Sequence, residues 1–295
     1  MTGGSVTGGS VTVGHPSWVW VDGELVAADT ARVSVLDHGL TVGDGVFETV
    51  KVVDGVPFAL TRHLRRLVRS AAGLGLTGPD LDTVRAAVAA TTAANSPAGR
   101  WRARITYTAG PGPLGSDRGE GSGTLVCAMS PAGPPQLSAA VTVVPWPRNE
   151  RGVLVGLKTT SYAENVLALA QARAAGTDEA LFANTTGMLC EGTGSNIFVV
   201  VDGQVRTPPC SAGCLAGVTR ELVLTWYDAV EADMPVAVLH EAQEVFLTST
   251  LRDVQPVRSV RFIDGTDGHE LPAPGPVTRA VMSAFAEHAA TDTDP

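Results

Sequence analysis

Short alternating runs of apolar and polar residues open the patterned part of the chain. In Trp18-Val-Trp-Val, Asp22-Gly23 and Glu-Leu-Val, two such runs flank an Asp-Gly pair. That pair suits a type I′ hairpin, whose two central residues must both adopt positive φ. The same device recurs at Asp54-Gly55 and Asp202-Gly203, so β-meander pieces are expected in both halves. Residues 46–53 form a β-rich run into the second hairpin. The period then changes: Leu64, Leu67, Val68, Ala71 and Ala72 recur at helical spacing, with Arg62, Arg65, Arg66 and Arg69 between them. This predicts a helix whose polar side is crowded with arginine, either as a solvated face or as a grip for an anion. Asp80 is placed to cap a second helix through about 94, and residues 101–108, 124–129 and 139–144 read as strands. The Gly/Pro-rich stretch 110–119 is a candidate lid.

Beyond Pro145-Trp-Pro-Arg, which has the composition of a linker, helical spacing returns at 164–175. Strands are expected at 180–183, 188–190 and 196–201. A Pro/Gly loop from Thr207 then feeds a helix over about 219–226. Strands at 236–239, 244–248 and 256–260 and a last helix over about 276–288 complete the pattern. The organisation expected is a Gly/Ser/Thr-rich disordered tail (1–15), an N-terminal domain (16–146), a linker (147–156) and a C-terminal domain (157–295), in an α+β or α/β fold class.

Composition narrows the function classes. With 44% hydrophobic and 17% charged residues the chain can bury a substantial core. No apolar run is long enough for a membrane span, and no basic start with an apolar block marks export, so a cytoplasmic protein is expected. A net charge of −9 argues against a nucleic-acid partner. The four cysteines, Cys127, Cys190, Cys210 and Cys214, read as free thiols, and their spacing does not suggest a metal site.

Lys51 and Lys158 are the only lysines among 21 basic residues. Where arginine has replaced nearly every other amine, a surviving lysine points to chemistry that needs a deprotonatable nitrogen, although an ordinary surface lysine fits the composition equally well. Glu191, amid small residues at a strand end, can point a carboxylate at a planar ligand. Gly217-Val218-Thr219 opens a helix with the unpaired N–H groups and hydroxyl that suit a phosphate. A lysine, a carboxylate, arginines and a helix start together match what pyridoxal 5′-phosphate requires: an amine for its aldehyde, a partner for its ring nitrogen and ligands for its phosphate.

Asp44-Gly-Val-Phe47-Glu, His63-Leu-Arg-Arg66-Leu, Lys158-Thr-Thr-Ser-Tyr162, Glu191-Gly-Thr-Gly-Ser-Asn196-Ile-Phe, Gly217-Val218-Thr219-Arg and Phe246-Leu-Thr-Ser-Thr250 resemble, in order and spacing, the motifs of class IV aminotransferases, the fold type IV pyridoxal-phosphate enzymes. The resemblance runs over about 18–285. It implies a two-domain D-amino-acid-aminotransferase-like fold, with a sandwich-like N-terminal α/β domain and a C-terminal mixed β-barrel-like domain with helices. It implies that Lys158 is the Schiff-base lysine and proton shuttle, and that Glu191 partners the ring nitrogen. Arg66, Val218, Thr219 and Thr250 become phosphate ligands, with Tyr162 and Asn196 also on the cofactor. Phe47, Thr49, Arg104, Leu251 and Arg252 fall around a small-molecule amino substrate, and a homodimer is implied. Lys51, on a strand without these neighbours, reads as an ordinary lysine. Within the family the chain looks most like 4-amino-4-deoxychorismate lyases, whose dicarboxylate substrate Arg104, with Arg252 or Arg118, would hold. An aminotransferase of branched-chain or other amino acids is the alternative. D-amino acids fit less well, since Ala109 stands where an arginine is expected.

Overall fold

The asp-gly hairpins and alternating runs build two sheets in the computed structural model, which describes residues 17–134, 136–263, 265 and 268–295. The tail expected over 1–15 lies outside the described residues. The first sheet is antiparallel throughout. It contains β1 (Trp18–Val21), β2 (Glu24–Ala27), β3 (Gly45–Val53), β4 (Val56–Pro57), β5 (Arg100–Thr108) and β6 (Leu125–Pro131), in the order β2-β1-β6-β5-β3-β4. Asp22, Asp54 and Asp202 and the glycines after them all have positive φ, as the type I′ turn demands. After the short helix α1 (His38–Thr41) come α2 (Leu60–Gly73) and α3 (Leu81–Asn95), the latter capped by the Asp80 carboxylate on Thr83 N at 2.8 Å. Leu64, Leu67, Val84 and Ala87 from these helices join Val50, Ile105 and Met129 of the sheet in one buried cluster. Helix α2 has no capping side chain of its own, and Asp294 from the chain's last residues accepts from Thr61 N at 2.7 Å instead.

The second sheet holds β7 (Ala139–Val143), β8 (Glu179–Ala183), β9 (Leu189–Gly192), β10 (Asn196–Val201), β11 (Gln204–Thr207), β12 (Ala229–Glu231), β13 (Glu244–Ser249), β14 (Asp253–Phe262) and β15 (His269–Glu270). Around it lie α4 (Ala163–Ala174), α5 (Val218–Trp226), α6 (Val238–Glu241) and α7 (Pro276–Thr291). The strand path β12-β11-β10-β13-β14-β7-β8-β9 separates β9 from β10 by five strand spacings, about 24 Å in a flat sheet. Only residues 193–195 connect them, which reach roughly 10–14 Å at full extension. The sheet therefore curls so that its end returns beside β10.

Three expectations need correction. Residues 139–143 pair in parallel with β8 and β14, so the chain leaves the first sheet after β6 rather than near 146. Residues 238–241 are helical, not a strand: Val238 and Leu239 pack into the second core from one helical turn, and a four-residue apolar run has too little length to reveal its period. Lys51 is buried, its Nζ 2.5 Å from Asp253 Oδ1, where it ties β3 to the start of β14. Among the described residues no helix is long and apolar enough to cross a membrane.

The longest helix of the second half is anchored by one carboxylate. Buried Glu244 of β13 accepts from Val277 N at 2.9 Å and Thr278 N at 2.7 Å, satisfying the first turn of α7. Gly275 is needed there, because a Cβ would meet Glu244 Cδ at 2.2 Å. Glu244→Ala leaves those N–H groups without a partner and is expected to cost about 1–3 kcal/mol. Chemical denaturation of the variant checks this, and an unchanged midpoint refutes it.

Candidate active site

Lys158 is held at the seam between the sheets by its backbone. Its carbonyl accepts from Phe47 N at 3.0 Å, its N–H donates to Ser70 Oγ at 3.1 Å, and Thr160 N donates to Gly45 O at 2.8 Å, so residues 158–160 run as an added edge along β3. The amine then lies 4.3 Å from the centre of the Phe47 ring. Burial, followed by the positive field of Arg66, lowers its pKa to about 8 against the opposing pull of Glu48 and Glu191. An amine so poised is partly neutral near physiological pH and can act as nucleophile or base.

Beneath it lies a buried ionic cluster. Glu48 alternates with Phe47 on β3 and so faces inward to α2. There Arg66 Nε and Nη2 donate to its two oxygens at 2.7 Å each, and His63 Nδ1 lies 2.7 Å from Oε2. Burial alone would raise the Glu48 pKa, but the Arg66 guanidinium and the His63 hydrogen bond outweigh it and hold the carboxyl at about 2. The remaining edge of Arg66 reaches forward, Nη1 donating to Ala216 O at 3.1 Å, while His63 Nε2 approaches Thr250 Oγ1 at 3.4 Å. The crowded arginines thus divide. Arg66 turns inward, and Arg62 pairs with Glu221 at the surface.

Opposite Lys158, α5 begins at Gly217 without any capping side chain, leaving its first N–H groups to the cleft. Here only glycine fits, because a Cβ would come within 2.0 Å of Asn196 Oδ1. Asn196 in turn donates from Nδ2 to Leu215 O at 2.8 Å, fixing the approach to the helix. Leu215 N donates to Glu191 Oε2 at 2.9 Å. Burial raises the Glu191 pKa, opposed first by Arg148. Tyr162 packs edge-on against Phe47, ring centres 5.4 Å apart, and its hydroxyl donates to Thr193 O at 2.8 Å.

The residues expected around the cofactor, with Phe47, Thr49, Arg104, Leu251 and Arg252, line one cleft of about 990 Å³, whereas Arg118 and the 110–119 loop are not part of its lining. On its other wall Thr49 and Arg104 are cross-strand neighbours, and the Arg104 guanidinium stacks 3.3 Å from the Phe47 ring centre. Leu251 and Arg252 follow Thr250 in the turn after β13. Arg252 Nη1 is 2.6 Å from Glu179 Oε2, a fully buried carboxylate that also accepts from Thr193 N at 3.1 Å. Arg118 binds Asp44 in a two-point pair at 2.6 and 2.8 Å, fastening the 110–119 loop to the start of β3. Glu48, His63, Arg148 and Glu179 were not singled out from the sequence. A charged residue at an inward position of an apolar strand was the available signal for Glu48.

These groups fit pyridoxal 5′-phosphate. The uncapped α5 start with Arg66 and Thr250 suits the phosphate, the buried Glu191 suits a protonated ring nitrogen, and the depressed amine of Lys158 suits the aldehyde. The model of the family Amino-transferase class IV matches residues 45–260. A Methanocaldococcus jannaschii protein provisionally named a branched-chain-amino-acid aminotransferase is 36% identical over 250 residues, covering 81% of this chain and 86% of its own length. The structure of a branched-chain aminotransferase from Thermoproteus uzoniensis with norvaline is similar at a TM-score of 0.84 and 30% identity, covering 92% of this chain and 93% of the other. The PLP-form of a branched-chain amino acid aminotransferase from Thermobaculum terrenum is similar at 0.82 and 26%, with coverages of 93% and 94%.

Glu48→Gln removes the charge that neutralises Arg66 in a buried site, at an expected cost of about 3–5 kcal/mol. In the native protein the contribution of this depressed carboxyl is fully present above its ordinary value of 4.5 and is lost as pH falls toward about 2. Denaturant titrations of both proteins across that window measure it. A variant that tracks the wild type at neutral pH refutes the assignment.

Proposed function

Since the chain belongs to the class IV amino-transferase family, we propose that it is a pyridoxal 5′-phosphate-dependent aminotransferase of branched-chain or similar aliphatic amino acids. The observation that carries this is Lys158, the buried amine of pKa about 8 at the base of a cleft with Glu191 and an uncapped helix start. Bound there, the cofactor supplies an electron sink for the bond broken at the substrate's α-carbon. Lys158 Nζ would hold the aldehyde of the bound cofactor and, once displaced by the substrate amine, would take the substrate's α-proton as a base. Arg66, Thr250 and the N–H groups of Val218 and Thr219 would hold the phosphate, Glu191 the ring nitrogen, and Tyr162 with Asn196 would flank the ring. Phe47 and Leu251 offer apolar surface to an aliphatic side chain, and Arg104 offers a cation to the acidic side chain of an amino partner.

The lyase reading that led from sequence loses ground on two counts. The relatives are named for amino transfer, and of the arginines suggested for a dicarboxylate, Arg252 faces Glu179 and Arg118 faces Asp44. A homodimer is supported by exposed Val35, Leu36, Leu40, Val42, Val153 and Leu154, of which Val42, Val153 and Leu154 border the cleft.

Spectroscopic half-reactions with L-leucine, L-isoleucine and L-glutamate test the proposal, with 4-amino-4-deoxychorismate as competitor. Conversion by the amino acids without p-aminobenzoate release is expected, and the reverse outcome restores the lyase. Lys158→Ala is expected to abolish turnover. Arg104→Ala should lower kcat/KM for glutamate by roughly tenfold to a hundredfold, about 1.5–3 kcal/mol, and spare leucine. Sedimentation should give a dimer, and monomer alone would contradict that part.

A further inference from the structure

Arg148 lies in the stretch whose composition suggested a linker, yet its backbone is fixed. Its N–H donates to Ala183 O at 2.8 Å, and it bridges Asn184 beside the end of β8. The guanidinium carbon sits 4.3 Å from the ring centre of buried Phe182, and Phe182 is the cross-strand neighbour of Glu191. Two nitrogens of the fork are engaged by α4, Nη1 with Glu164 Oε2 at 3.1 Å and Nη2 with Asn165 Oδ1 at 2.9 Å. The third is not. Nε is buried, makes no hydrogen bond among the described residues, and stands 3.6 Å from Glu191 Oε1.

Glu164 is largely exposed, so its pairing contributes little and does not explain a stacked, three-sided arginine. Glu191 does explain it. One carboxylate oxygen takes the Leu215 N–H and the other faces Arg148. Without that cation a buried carboxylate would favour its neutral form. A lysine cannot reproduce the arrangement, since it lacks the planar fork that stacks on Phe182 while bonding at its far edge.

We propose that Arg148 is a positioning residue for the cofactor ring, its guanidinium orienting the Glu191 carboxylate and supplying the counter-charge that lets it hold a protonated ring nitrogen. The proposal rests on the pyridoxal-phosphate reading above. It acts through the ring nitrogen alone, so it is separable from any general loosening of the cleft.

The test compares the dissociation constants of the apoenzyme for pyridoxal 5′-phosphate and for its 1-deaza analogue, in which a C–H replaces the ring nitrogen. Both ligands share the phosphate and aldehyde contacts. The wild type is expected to prefer the natural cofactor. Arg148→Met should shrink that preference by about tenfold, the equivalent of one pKa unit in the carboxyl's ionisation. Arg148→Lys should restore part of it, and Glu164→Ala should leave it unchanged. Equal weakening of both ligands in Arg148→Met would mean a structural role only and overturn the proposal, as would an unchanged ratio. A wild type that failed to take up pyridoxal 5′-phosphate would overturn the functional reading and this inference together, whereas tight uptake with an unchanged ratio in the variant overturns this inference alone.

Discussion

The two-point pairing of Glu48 with Arg66 is the interaction on which the site depends. It joins β3 to α2 across the first core and leaves one guanidinium nitrogen reaching Ala216, just before α5. Burying these charges is unfavourable unless each is matched, and here the carboxylate receives two donors from Arg66 and a third from His63. The match fixes where a cation can stand relative to the helix start. The same strand carries Phe47, whose backbone holds Lys158 and whose ring meets Lys158, Tyr162 and Arg104. The inward and outward alternation of one strand thus sets the ionic floor and one wall of the cleft together.

A second set of bonds brings the other sheet to this floor. Lys51 meets Asp253, and Arg100 Nη2 donates to Leu251 O, so the turn bearing Thr250 is tied to the first sheet at two points. Glu179 then links Arg252 of that turn to Thr193, whose carbonyl receives the Tyr162 hydroxyl. Cleft residues from distant parts of the chain are therefore held by bonds that reach beyond their own loops, the buried Glu179 carboxylate among them.

Much of the fold was legible because the signals were local. Each Asp-Gly pair dictated a turn, Asp80 dictated a cap, and the spacing of Leu64, Leu67 and Ala71 dictated the buried face of α2. The placement of β7 was not legible, since its partners β8 and β14 lie far along the chain and nothing in residues 139–143 encodes which sheet receives them. The site shows the same division. Lys158, Glu191 and the Gly217 helix start could be picked out by residue type and neighbours. The fixed partners of Arg252 and Arg118, the bridging role of Lys51 and the stacked Arg148 depend on tertiary distances that no spacing rule conveys.

The curl of the second sheet also bears on how the chain acquires its site in time. Glu191 and Asn196 flank a loop of residues 193–195, yet the strands that carry them, β9 and β10, lie at remote points of the hydrogen-bonded path. The short link keeps the two side chains close along the chain, but the ring of strands on which they sit closes only when β7 has paired with β14, more than a hundred residues away. Closing so long a loop is entropically slow compared with forming the hairpins and α2. Completion of the strand ring that frames Glu191 and Asn196 is therefore expected to follow formation of the hairpins and α2.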